Sequence, residues 1–138
     1  MQVSTLLISR FEQILAQIAE MNEPSSIPAL VQFFDDDAAF DERMFSIIHT
    51  IEMFNDETYC RELLMATPHL WQHSPRWASI VFMRVMNADS TQKALMRQLP
   101  GTTDEEKASR SEMLRRINER SPAFLIKTTP VLGMLETS

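Results

Sequence analysis

Glycine is nearly absent from this chain. Gly101 and Gly133 are the two glycines among 138 residues, against a usual share of roughly 7%. Hairpin turns, phosphate-cradling loops and dinucleotide-binding turns need backbone that glycine adopts without steric penalty. The scarcity therefore argues against all three. Proline supplies the punctuation instead. Thr67-Pro68, Ser74-Pro75, Ser121-Pro122 and Thr129-Pro130 each set a hydroxyl side chain before a proline, the pattern of an N-cap followed by N1, where the missing N–H is not needed and φ is already helical. Between these marks every hydrophobic run has a period near 3.6, and none alternates with period two over a strand length. The expectation is an all-α fold: a single domain over residues 1–138, built as an irregular helical bundle or a short, HEAT-like stack of antiparallel helical hairpins.

The spacing predicts helices over 4–21, 27–35 and 38–54. One over 57–66 is capped by Asp56, and a short turn covers 68–73. Further helices follow over 75–87 after Ser74, from Asp89 or Ser90 to 99 before the stop at Pro100-Gly101, and over 104–120 after Thr103. Shorter ones are expected over 122–127 and 130–136. In the first helix Leu7, Phe11, Ile14, Leu15, Ile18 and Met21 recur at helical spacing. The third presents Phe40, Met44, Ile47, Ile48, Ile51 and Phe54 on one face. The stretch "PRWASIVFMRVMN" at 75–87 is apolar nearly all round apart from Arg76 and Arg84, so it belongs in the middle of the bundle. Over 104–120, Glu106/Arg110 and Glu112/Arg116 stand four apart, the pattern of a solvated face.

Hydrophobic residues make up 44% of the chain and charged residues 23%, which suits a globular domain with a real core rather than a disordered chain. Cys60 is the sole cysteine, so no internal disulfide forms and a reducing cytoplasm is expected. The N-terminal stretch has neither a basic leader nor an unbroken apolar run, and reads as the first helix rather than a signal peptide or membrane span.

Catalytic and metal chemistry find little support. His69 and His73 have the i, i+4 spacing of a zinc pair, but nothing in the spacing demands a third ligand from Cys60, His49 or a carboxylate. Cys60 lies on an apolar helical stripe beside Tyr59 and Leu63, where a thiol packs as a small core residue. The carboxylates cluster at helix starts rather than in an apolar cleft, so no general acid is indicated. No enzyme, cofactor or metal is expected. The ten methionines read mostly as core filler. Arg84, in its apolar helix, either reaches solvent or pairs with an acid, with Glu52 as the candidate.

The charge is lopsided. Residues 1–62 hold three arginines against twelve Asp and Glu, a balance of −9, while residues 63–138 come to +3, giving the overall −6. The densest stretch, "FFDDDAAFDER", runs two phenylalanines into Asp35, Asp36 and Asp37, with Asp41 and Glu42 close behind. Asp56 and Glu57 open the next helix. Capping and helix-dipole effects account for one or two carboxylates per helix; a longer series repels itself unless a partner offsets it. Asp41, Phe45, Ile48 and Glu52 share one stripe, an aromatic among acids, which suits a basic protein partner and disfavours nucleic acid.

Residues 47–87, "IIHTIEMFNDETYCRELLMATPHLWQHSPRWASIVFMRVMN", resemble a family of small all-helical bacterial immunity proteins that accompany polymorphic or contact-dependent growth-inhibition toxins. The resemblance is carried by Ile51, Glu52, Phe54, Asp56, Glu57, Tyr59, Leu63, Leu64 and Pro68, and then by Pro75, Trp77, Ala78, Arg84 and Asn87. It extends loosely toward residue 125, and the first helix matches in character alone. It implies a non-catalytic protein that binds a cognate toxin, often a nuclease. The combined expectation is a cytoplasmic monomer that forms a 1:1 complex with a basic nuclease toxin, an RNase by preference, and touches neither nucleic acid nor membrane. Asp35, Asp36, Asp37, Asp41, Glu42, Phe45, Glu52, Asp56 and Glu57 would make the contact. The alternative is a helical-repeat adaptor for another regulatory protein.

Overall fold

The computed structural model describes residues 3–38, 41–99 and 103–120, together with Pro130, Val131 and Gly133. The described residues form helices and no strands: α1 (Val3–Met21), α2 (Ser26–Val31), α3 (Glu42–Ile51), α4 (Asp56–His73), α5 (Pro75–Asn87), α6 (Asp89–Gln98) and α7 (Asp104–Arg120). The all-α expectation holds. The helix expected over 122–127 lies outside the described residues, as does most of 130–136, where Pro130, Val131 and Gly133 are helical.

Local chemistry explains most of the boundaries. Asn22 ends α1 with φ 50°, the left-handed conformation that asparagine tolerates at a helix C-terminus. Thr103 and Glu106 form a capping box on α7: the Glu106 N–H donates to Thr103 Oγ1 at 3.2 Å, and the Thr103 N–H donates to Glu106 Oε2 at 3.3 Å. Asn55, one residue before the expected Asp56, caps α4 by accepting the Thr58 N–H at 2.9 Å. Pro75 occupies N1 of α5 as expected.

α4 is the central strut, packed on α2, α5, α6 and α7, while α5 packs on α4, α6 and α7. α1 packs chiefly on α3. The core runs through Met44, Ile47, Ile48, Ile51 and Phe54, then through Leu63, Leu70, Trp77, Phe82 and Met86 to Met113, Leu114 and Ile117. The inner face expected for 38–54 is therefore buried as read, apart from Phe40, which lies outside the described residues. α1 departs from its pattern. Leu15 is buried and Phe11 and Ile18 are partly covered, whereas Leu7, Ile14 and Met21 face outward, because α1 meets too little of the bundle to cover so wide a stripe.

Three expectations are corrected. First, α2 stops at Val31 and α3 starts at Glu42, which leaves the acidic segment as a loop. Phe33 and Phe34 close i→i−3 turns onto Leu30 and Val31, and the Phe34 carbonyl accepts the Ser74 hydroxyl at 2.6 Å. The Ser74 hydroxyl thus ties the loop down instead of capping α5. Second, Thr67-Pro68 does not start a helix, because α4 runs through it to His73. Thr67 Oγ1 donates back to the Leu63 carbonyl at 2.9 Å. Pro68 cannot donate to the Leu64 carbonyl; Arg110 Nη2 from α7 does so at 2.9 Å. Third, Arg110 is not on a solvated face. Its side chain is 3% exposed, with Glu106 at 3.6 Å, and burial pulls its pKa down.

Candidate partner-binding surface

The acidic loop is held against the start of α5 by an aromatic hub. Buried Trp77 stacks on Phe34 with centroids 6.0 Å apart, and meets Phe45 edge-on at 5.2 Å. Its Nε1–H donates to the Asp35 carbonyl at 3.2 Å. Asp36 sits at the N-terminus of α5 and accepts the Arg76 N–H at 3.0 Å and the Trp77 N–H at 3.2 Å. It is a cap supplied from 40 residues away in the chain, satisfying two of the N–H groups a helix start leaves open. Asp35 Oδ1 accepts the Asp37 N–H at 2.9 Å, an Asx-type turn.

Three more of the candidate carboxylates face arginines. Asp41 receives Arg76 at 2.9 and 3.4 Å, which raises the Arg76 pKa. Glu52 and Arg84 form a bidentate pair, both bonds 2.8 Å long; of the two fates considered for Arg84, this is the paired one. Glu57 accepts Arg97 Nε at 2.6 Å and Gln98 Nε2 at 2.8 Å. Arg97 first, then Gln98, draws the Glu57 carboxyl below its ordinary value. The Asp41–Phe45–Glu52 stripe therefore runs along the seam with α5, and a small cleft opens where Phe45 meets Ile80, Met83 and Arg84. Among the described residues Asp37, Glu42 and Asp56 form no ion pair; Asp37 and Glu42 are exposed and Asp56 half-buried.

A groove of about 500 Å³ lies between α1, residues 33–38 and α3. Phe33 forms one wall while 69% exposed. Sequence reasoning did not single out Phe33. Phe33 and Phe34 are adjacent and alike in sequence, and the structure buries Phe34 while leaving Phe33 exposed.

The residues weighed for catalysis lie apart in depth, Cys60 in the core and His69 and His73 at the surface. Cys60 is buried, donates to the Thr91 carbonyl at 3.4 Å, and has its pKa pushed up to about 12 by burial, so it is a thiol rather than a nucleophilic thiolate at neutral pH. His69 and His73 are exposed on α4, with rings 4.2 Å apart. Among the described residues no group of three His, Cys, Asp or Glu side chains is placed to hold a metal. No described helix is long and apolar enough to cross a membrane.

A profile of the family described as Immunity protein 30 matches residues 4–95, from the first turn of α1 into α6. This chain belongs to the Immunity protein 30 family. No curated protein and no solved structure matches it. The Immunity protein 30 match takes in α1, which the sequence resemblance reached in character alone, and ends before α7. Membership assigns the chain to the proteins that neutralise a cognate toxin by binding it. The acidic loop, the aromatic hub and the groove all fall inside the matched Immunity protein 30 residues.

Proposed function

We propose that the chain neutralises a nuclease toxin, an RNase by preference, in the cytoplasm, as one partner of a 1:1 complex. The observation that carries this reading is the acidic loop itself. Asp37 and Glu42 are exposed and without an ion pair among the described residues, and Asp37 directly follows the Phe34, Asp35 and Asp36 contacts to Trp77. A nuclease draws in a polyanion through a positive groove, and the exposed carboxylates of this segment occupy such a groove in place of phosphates. Long-range attraction then speeds encounter.

Within the acidic set the roles divide. Asp36 caps α5, and Asp41, Glu52 and Glu57 brace α3 and α4 against α5 and α6. The carboxylates free to meet toxin cations are Asp37 and Glu42, with Asp35 and Asp56 at the margins. Phe45 is half-buried against Trp77 and contributes its exposed edge. The test is association kinetics with the purified cognate toxin domain, across a range of salt. Asp37→Lys with Glu42→Lys should slow association and flatten its salt dependence. An unchanged rate and slope would remove this loop from the interface.

A further inference from the structure

We infer that the groove between α1, the 33–38 loop and α3 receives an apolar side chain of the toxin, presented next to a lysine or arginine. This rests on the reading of the chain as a toxin neutraliser and names the part of the surface that holds the complex once formed. The floor is apolar: Phe11 from α1, and Met44 and Ile47 from α3. Phe33 and Ala38 stand along the loop side. Asp35 and Arg43 lie at the edge, one anion and one cation. A volume of about 500 Å³ falls within the range of roughly 300–1,000 Å³ found for binding pockets. Phe33 stands 69% exposed beside this apolar floor, so an occupant would cover both together.

Charge selects among occupants. Residues 1–54, which contain every lining residue, hold two arginines against nine Asp and Glu. A second copy would bring Asp35, Asp37 and Glu42 against their own kind. A partner with an apolar anchor flanked by cations meets both features at once, the arrangement in which a buried anchor supplies residence time and rim charges supply encounter rate. The two parts of the surface are thus separable in kinetics.

The experiment uses the full chain and its purified cognate toxin domain, with the toxin's own catalytic residue inactivated. Phe33→Ala removes an exposed wall without touching the core, and Ala38→Trp fills the groove; thermal melts check that each variant is folded. Each should raise the dissociation rate about tenfold or more with the salt dependence of association unchanged. Wild-type dissociation in both variants would overturn the groove assignment while leaving neutralisation intact. Failure of the wild-type chain to bind the toxin at all would overturn the neutralisation reading first. A dimer of this chain that is lost in Phe33→Ala would make a second copy the occupant and reject the inference.

Discussion

Arg110 Nη2 donates at 2.9 Å to the carbonyl of Leu64, the acceptor that Pro68 leaves without its helical donor. A side chain on α7 thus repairs a break in the backbone ladder of α4, and a proline is carried inside an 18-residue helix. The repair is incomplete in its own terms, because Arg110 Nε and Nη1 are buried without hydrogen-bond partners among the described residues.

This coupling is measurable. Arg110→Met should destabilise the chain by about 1–3 kcal/mol through the orphaned Leu64 carbonyl. Pro68→Ala supplies an N–H to the same oxygen, so it should help more in the Arg110→Met background than in the wild type. Urea denaturation of the two single variants and the double variant gives the non-additivity; additive effects would separate the two residues.

Asp36 and Asp37 are neighbours with opposite roles. Asp36→Ala removes both acceptors from the start of α5 and should cost about 0.5–2 kcal/mol. Asp37→Ala should stay within about 0.5 kcal/mol, since its exposed carboxylate forms no ion pair among the described residues. Thermal melts of the pair check the difference.

Glu57 carries a pH signature. Its folded pKa lies below the ordinary 4.5, so the contribution of its pairing with Arg97 and Gln98 is present above that value and fades as pH falls through the lowered folded pKa. NMR titration of the Glu57 carboxyl should give a midpoint under 4.5, and Arg97→Ala should move it back upward. An unmoved midpoint would deny Arg97 that role.

The Glu52–Arg84 pair is bidentate yet 27% and 39% exposed, so solvent screens it. Glu52→Gln should lower stability by no more than about 1 kcal/mol, read from the shift in denaturation midpoint at low salt, and by less at high salt.

How much was legible follows from the range of each signal. The buried faces of α3 and α5 could be read because a 3.6 period is local, and the Thr103 capping box because its members are three residues apart. Pro68 misled for the same reason: a hydroxyl followed by proline reads as a start unless a distant donor rescues the acceptor. The Phe33 wall was invisible because two adjacent phenylalanines give no sign of which one turns inward.

The order of charges and apolar residues along the chain therefore determined that it is helical, where its inner faces lie, and that its first half is acidic. The tertiary structure alone decided that Asp36 is occupied by the start of α5, Asp41 by Arg76 and Glu57 by Arg97, and it settled Arg84 on Glu52, the acid the sequence offered as one of two fates. These partners lie 32 to 41 residues apart. A pairing across that distance leaves no periodic trace, because it is made by helices packing together and not by the turn of any one of them.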